Sequence, residues 1–86
     1  MARVLIVEDD KRVRMELKEL LENQGYDVAT IDDFTRDIVD DVNQIDKNLI
    51  LLDINLPNQN GFDICRQIKQ YESVPIIFVT SLTNEE

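Results

Sequence analysis

The sequence is poor in positive charge. Its 86 residues include 9 basic and 18 acidic side chains, so the formal net charge is -9. Such a charge repels phosphate backbones and anionic lipid head groups, and we expect this segment to bind neither nucleic acid nor membranes. The same charge attracts divalent cations wherever carboxylates converge. A metal site is therefore compatible with the composition.

Cysteine occurs once, as Cys65, and the apolar runs are short. One cysteine cannot form an internal disulfide, and a free thiol fits a reducing compartment. The longest apolar runs have the length of strands, and no charged region followed by an apolar stretch opens the chain. We therefore expect a cytoplasmic protein that is neither secreted nor membrane-spanning.

Short apolar runs alternate with amphipathic segments along the chain. Residues 4–7, 26–31, 48–52 and 75–79 are typical of strands, whereas residues 11–24, residues 34–45 and a segment from Phe62 onward have helical periodicity. This alternation predicts right-handed βαβ units and a parallel sheet with helices on both faces. The predicted apolar stripe of the first helix is Val13, Leu17, Leu20 and Leu21. That of the third helix is Phe62, Cys65, Ile68 and Tyr71 or its neighbours.

Acidic and hydroxyl side chains follow three of the predicted strands. Glu8, Asp9 and Asp10 come after the first strand, Asp53 after the third and Thr80 after the fourth. Parallel strands end at one edge of a sheet, where ligands collect near a topological switch point. Carboxylates brought together there repel each other unless they share a cation, and Mg²⁺ commonly takes one or two carboxylates. This pattern predicts a Mg²⁺ site that uses Asp9 and Asp53.

An ionised aspartate beside Mg²⁺ can attack phosphorus and form an acyl phosphate. Thr80 would donate a hydrogen bond to a phosphoryl oxygen, and backbone amides around Asn55 and Ser81 would help. Two simpler interpretations also fit the acids. The cluster after the first strand resembles a solvated loop with Asp10 as helix N-cap, and a lone aspartate such as Asp53 often ends a strand before a turn.

Three motifs resemble the receiver domains of two-component response regulators. They are VLIVEDD at residues 4–10, DINLPNQNG at residues 53–61 and FVTS at residues 78–81, which resemble the first strand with its acidic pair, the phosphoacceptor loop and the switch-hydroxyl strand end. The resemblance covers residues 1–86 and identifies them as the N-terminal portion of such a domain. It implies an α/β, flavodoxin-like (CheY-like) doubly wound parallel sheet of strand order 2-1-3-4, with the fifth strand and last helices missing.

Carried over position by position, the resemblance implies that Asp53 is the phosphoacceptor and that Thr80 is the switch hydroxyl. It also implies that Mg²⁺ is held by Asp9 and Asp53 directly, by Glu8 through water and by the backbone carbonyl of Asn55. A sensor histidine kinase would be the phosphodonor, and we expect the output to be transcription. The domain would take part in its own phosphoryl transfer without being a turnover enzyme.

The sequence departs from the family after its fourth predicted strand. Receivers carry a lysine at the end of a fifth strand, whereas the lysines here are Lys11, Lys18, Lys47 and Lys69. A four-stranded sheet would leave its last strand at an open apolar edge, so we expect a homodimer or aggregation through that edge. Two other functions stay open: an aspartyl-phosphate phosphatase, although Asn55 stands where a second aspartate would be expected, and a receiver-like interaction module that does not switch.

Overall fold

The computed structural model describes residues 2–79, which form a parallel sheet, a short hairpin and three helices. In chain order the elements are β1 (Arg3–Val7), α1 (Lys11–Asn23), β2 (Asp27–Ile31), α2 (Val39–Gln44), β3 (Leu49–Asp53), β4 (Asn55–Leu56), β5 (Gln59–Asn60), α3 (Gly61–Lys69) and β6 (Ile76–Val79). The sheet order is β2-β1-β3-β6, with every pair parallel. This confirms the predicted order, since β6 is the fourth predicted strand. Among these helices, none has the length and apolarity needed to cross a membrane.

The two central strands are apolar because both of their faces are covered. Residues 4–7 of β1 are at most 1% exposed, and Ile50 and Leu52 of β3 are fully buried. Continuous apolar runs are typical of such parallel strands. The main core joins these strands to the helices through Leu5, Val7, Ile50, Leu52, Val39, Val42, Ile64 and Ile68. The ends of β1 and β3 are therefore held by the best-packed part of the molecule.

Helix α1 begins where the sequence predicted. The Asp10 side chain caps it by accepting hydrogen bonds from the amides of Arg12 and Val13 at 2.9 and 3.2 Å. The predicted apolar stripe is partly wrong, because Leu20 is 58% exposed and the buried residue of the helix is Arg14. Arg14 thus occupies a buried position at which helical periodicity alone would predict an apolar side chain.

Helix α3 also presents a different face from the predicted one. Ile64 and Ile68, which are four residues apart, contact the core, whereas Phe62 and Tyr71 are 47% and 70% exposed. Tyr71 lies beyond the last residue of the helix, and Phe62 packs on Phe78 of β6 with ring centroids 4.8 Å apart. The stripe predicted from Phe62 to Tyr71 is therefore wrong in its outer members.

Helix α2 is shorter than the predicted segment 34–45, and it spans Val39–Gln44. The side chains of Asp33 and Asp37 accept hydrogen bonds from the backbone amides two residues ahead, at 3.1 and 3.0 Å. Such local bonds compete with helix formation, which explains the late start. Phe34 and Ile38 still belong to the core. The apolar periodicity therefore predicted correctly that these residues are buried, but the predicted helix was too long.

A short hairpin replaces the turn that the sequence predicted after β3. Strands β4 and β5 pair antiparallel, with Asn55 opposite Asn60 and Leu56 opposite Gln59. Asn58 in the connection has a φ of 59°, a left-handed conformation that asparagine tolerates better than most residues. The hairpin leads the chain directly from Asp53 into α3.

A buried ion pair joins two loops at the opposite end of the sheet. Lys47 donates from Nζ to both carboxylate oxygens of Glu72 at 2.7 Å and to the carbonyl oxygens of Val42 and Ile45 at 2.8 and 3.0 Å. The side chain of Lys47 is 1% exposed and that of Glu72 is 25% exposed. The loop before β3 is thereby tied to the loop before β6.

We expect Lys47→Met to lower the free energy of unfolding by about 2 to 4 kcal/mol, because Glu72 and two carbonyl oxygens lose their donor. Urea denaturation followed by circular dichroism measures this loss. Arg12→Met is the matched control, since the Arg12–Glu16 pair is 86% and 69% exposed and its removal should cost less than about 0.5 kcal/mol. Equal losses in both variants would contradict a structural role for the buried pair.

Candidate functional site

Three carboxylates meet at the carboxyl edge of the sheet. Glu8 and Asp9 directly follow β1, and Asp53 is the last residue of the neighbouring strand β3. The two strands are parallel and their ends lie side by side, with Val7 paired to Leu52. One ligand oxygen from each acid lies within 4.8 Å of the other two. The structure thus brings together the acids that the sequence placed after two different strands.

Glu8 and Asp53 are buried in this cluster, whereas Asp9 is exposed. The side chains of Glu8 and Asp53 each accept one backbone hydrogen bond at 3.1 Å, from the amides of Asp10 and Asn55 respectively. Both residues are 1% exposed. Glu8 Oε1 is buried and has no hydrogen-bond partner among the described residues. An unpaired buried carboxylate oxygen is costly, so the cluster is incomplete without a proton or a cation.

The electrostatics of the cluster favour a bound proton when no cation is present. Burial raises the pKa of Glu8 to about 7; the amide of Asp10 opposes the rise, and the neighbouring carboxylate of Asp53 reinforces it. Partial loss of hydration also raises the pKa of Asp9, although the residue is exposed, and the negative charge of Asp53 contributes. A divalent cation has the opposite effect, since it stabilises the ionised carboxylates.

The set of ligand atoms fits Mg²⁺. The cluster offers three carboxylates, one of them with a buried unpaired oxygen. Mg²⁺ binds oxygen ligands, needs only one or two carboxylates and retains several waters, for which exposed Asp9 leaves room. The residues present are therefore suited to hold this ion.

Gly61 holds the start of α3 against the backbone that carries Asp53. A Cβ atom at position 61 would lie 2.5 Å from the carbonyl oxygen of Asp53 and 2.7 Å from Cα of Ile54. The amide of Gly61 donates to the carbonyl oxygen of Ile54 at 2.9 Å. Only glycine allows this approach, so the glycine that ends the DINLPNQNG motif has a packing role beside the acidic cluster.

The other predicted site residues fall in three places. Asn55 lies in β4, and its amide donates to Asp53 Oδ1. Asp10 caps α1, as expected. Thr80 and Ser81 lie outside the described residues.

Arg14 is a residue at this edge that sequence reasoning missed. Its Nη1 donates to the carbonyl oxygen of Glu8 at 2.9 Å and to that of Asp9 at 3.4 Å. The available signal was an arginine close to the start of an amphipathic helix that follows three acids, a pattern equally typical of an exposed helix residue. Its burial could be known only from the folded chain.

The sequence is similar to those of known signalling proteins. The family model described as "Response regulator receiver domain" matches residues 4–86. The sensory transduction protein BceR of Halalkalibacterium halodurans is 36% identical over 81 residues, which cover 94% of this chain and 35% of that protein. The response regulator protein GraR of Staphylococcus haemolyticus is 39% identical over 82 residues, which cover 95% and 36% respectively. The chain thus spans about a third of the length of these relatives.

Solved structures resemble the chain in fold. The response regulator protein TrrA from Thermotoga maritima, crystallised in complex with Mg(2+)-BeF, has a TM-score of 0.84 and 28% identity, and the match covers 96% of this chain and 72% of that one. A structure of the histidine kinase ThkA in complex with TrrA contains a chain with a TM-score of 0.78 and 26% identity, matched over 98% and 72%.

We expect the stability of the metal-free protein to decrease as the pH rises through about 7. Folding raises the pKa of Glu8 above its ordinary 4.5, so the associated stabilisation is complete below pH 4.5 and is lost as the pH passes about 7. The loss should amount to about 1 to 3 kcal/mol. Urea midpoints measured with a chelator across this pH range test it.

Glu8→Gln should remove this part of the pH dependence, because glutamine does not titrate. Glu16→Gln, at a side chain that is 69% exposed, should retain the wild-type profile. A profile that is identical in the wild type and in Glu8→Gln would show that Glu8 does not have the raised pKa.

Proposed function

The chain belongs to the family of response regulator receiver domains of two-component systems, and on this premise we propose that it accepts a phosphoryl group on Asp53 from a sensor histidine kinase. The observation that carries the proposal is the convergence of Glu8, Asp9 and Asp53, with ligand oxygens within 4.8 Å of one another at the carboxyl edge of the sheet. The kinase as phosphodonor is supported by the similarity to a structure of ThkA in complex with TrrA.

Asp53 is suited to act as the nucleophile because the fold holds its carboxylate in place. It ends the central strand β3, is 1% exposed and accepts a hydrogen bond from the Asn55 amide. In the proposed reaction a carboxylate oxygen of Asp53 forms a bond to phosphorus while the bond from phosphorus to the donor breaks, which yields an acyl phosphate. Positioning of this group is the main contribution of the protein.

We propose that Mg²⁺ is held by Asp9 and Asp53, by Glu8 through water and by the backbone carbonyl of Asn55. When bound, the ion would supply positive charge that offsets the charge on the phosphoryl oxygens. The unpaired buried Oε1 of Glu8 supports a cation at this place. The similarity to TrrA, which was crystallised with Mg(2+)-BeF, supports the identity of the ion.

Thr80 remains our proposed switch hydroxyl. Its support is the register of β6, in which Val79, the residue before Thr80, pairs with Asp53. A hydroxyl at position 80 would therefore follow a strand that ends beside the phosphoacceptor. Its role would be to donate a hydrogen bond to a phosphoryl oxygen.

The wider role of the protein is also part of the proposal. We assign residues 1–86 to a receiver domain that undergoes phosphorylation without turnover, resides in the cytoplasm and controls transcription. The assignment is supported by the match at residues 4–86, by relatives that are named response regulators and are about three times as long as this chain, and by the free thiol of Cys65.

We also propose a homodimer through the edge of β6. Among the described residues this strand pairs with β3 alone, and it exposes Ile77 and Phe78 by 51% and 37%. An open strand edge with exposed apolar side chains favours pairing with another chain. A second copy would cover both the edge and these side chains.

Incubation of the protein with acetyl phosphate and Mg²⁺ should add up to one phosphoryl group per chain, measured by intact-protein mass spectrometry. Asp53→Asn should abolish the addition because the amide is a poor nucleophile. Asp46→Asn, at an exposed acid in another loop, should leave it unchanged. Omission of Mg²⁺ should also prevent it.

The phosphorylation proposal fails if the wild-type protein stays unmodified under these conditions or if Asp53→Asn is still modified. Repeated release of phosphate from a monoester, beyond one equivalent per chain, would instead favour a phosphatase. Mg²⁺ binding without any phosphorylation would favour an interaction module.

Sedimentation velocity should detect a dimer whose fraction rises with protein concentration. Ile77→Lys should shift the equilibrium toward the monomer by placing a charge at the edge of β6. Leu20→Lys, at a similarly exposed residue on α1, should not shift it. A wild-type protein that stays monomeric at every concentration would refute the dimer.

A further inference from the structure

We propose that Arg14 is a positioning residue that holds Asp9 where it can bind a divalent cation. The inference rests on the proposed function, because it assumes that the acidic cluster takes up Mg²⁺. It adds a residue of α1 to a site that is otherwise built from the ends of strands. The inference comes from one contact: a guanidinium nitrogen of Arg14 lies between the successive backbone carbonyl oxygens of Glu8 and Asp9.

Arg14 contacts both peptide groups that flank Asp9. Its Nη1 donates to the carbonyl oxygen of Glu8 at 2.9 Å, which belongs to the peptide before Asp9, and to the carbonyl oxygen of Asp9 at 3.4 Å, which belongs to the peptide after it. The orientation of the two flanking peptides fixes the direction of the Cα–Cβ bond, from which the carboxylate can reach only a few positions through its staggered rotamers. Arg14 therefore restricts the positions that the Asp9 carboxylate can reach.

Asp9 is the member of the cluster that most needs such a restraint. Glu8 and Asp53 are 1% exposed, so core packing holds both of them. Asp9 is exposed, and burial cannot hold its side chain. Repulsion from its two acidic neighbours would otherwise turn the carboxylate toward solvent.

The burial of Arg14 is unfavourable for the free energy of folding in two respects. The residue is 8% exposed, and a buried guanidinium loses hydration. It also lies close to the N-terminus of α1, where the helix dipole disfavours positive charge. Outside the cluster, Arg14 pairs with Asp32, whose carboxylate oxygen lies 4.0 Å from Nη2. The Asp32 side chain is 67% exposed, so this ion pair stabilises the fold little.

Two other roles for Arg14 make different predictions about Mg²⁺. If its charge alone mattered, removal of a positive group near the site would tighten cation binding. If its packing alone mattered, removal would destabilise the fold and leave the affinity unchanged. Arg14→Lys retains the charge but lacks the planar guanidinium, and Arg14→Met loses both.

Isothermal titration calorimetry with MgCl₂ on the purified protein distinguishes the three roles. Positioning predicts that both Arg14→Lys and Arg14→Met raise the Kd for Mg²⁺ by about tenfold or more, since residues that orient metal ligands contribute about 10- to 100-fold. Arg3→Met is the matched control, because Arg3 pairs with Asp27 at 2.8 Å at the opposite end of β1. Its Kd should stay at the wild-type value.

A Kd that falls in Arg14→Met and is unchanged in Arg14→Lys would overturn positioning in favour of charge. A lower thermal midpoint with an unchanged Kd would overturn it in favour of packing. If Arg14→Met does not fold, Arg14→Lys decides by itself. Absence of Mg²⁺ binding by the wild type would overturn the metal site and this inference with it, whereas wild-type binding with unaltered variants would overturn this inference alone.

Discussion

Repulsion among the carboxylates of Glu8, Asp9 and Asp53 is the constraint on which the function of this fold depends. Glu8 and Asp53 are 1% exposed, so little water screens their charges. Burial, reinforced by the negative charges of Asp53 and Asp9, raises the pKa of Glu8 to about 7, so below that pH a proton on Glu8 relieves the repulsion in the metal-free cluster. A proton and a divalent cation would therefore compete for the same few oxygens.

Such a cluster persists because the rest of the molecule leaves its members little freedom to move apart. Glu8 and Asp53 are continuous with the two most deeply buried strands, so a shift of either acid would disturb the core. Gly61 brings the start of α3 against the backbone of Asp53 and Ile54. Asp9 is exposed and depends on Arg14 instead. Packing thus restrains two of the acids, and hydrogen bonds restrain the third.

The two ends of the sheet are built in opposite ways. At the amino ends of the strands, Lys47 is buried with Glu72 and two carbonyl oxygens as acceptors. At the carboxyl ends, a buried oxygen of Glu8 has no partner among the described residues. A satisfied end gives stability, whereas an unsatisfied end retains the capacity to bind a ligand. The unsatisfied oxygen lies at the carboxyl edge, where strands that are distant in the sequence end side by side and where ligands bind in open parallel sheets.

Features that depend only on neighbouring residues could be predicted from the sequence. Apolar runs predicted the strands, Asp10 predicted the start of α1, and acids after the first and third strands predicted the cluster, because parallel strands end at one edge. The resemblance added the strand order, which the sheet confirms. Asp33 and Asp37 show where periodicity misleads, since their local bonds shorten α2.

The identity of the buried charged side chains became known from the folded chain and not from the sequence. Lys47 and Glu72 are 25 residues apart in the chain, and the burial of Arg14 depends on where α1 lies against the strand ends. Long polar side chains have the same sequence signature whether they face solvent or a buried carbonyl oxygen. Their hydrogen-bond and ion-pair partners depend on how the helices and loops pack on the whole sheet, and no local sequence pattern predicts them.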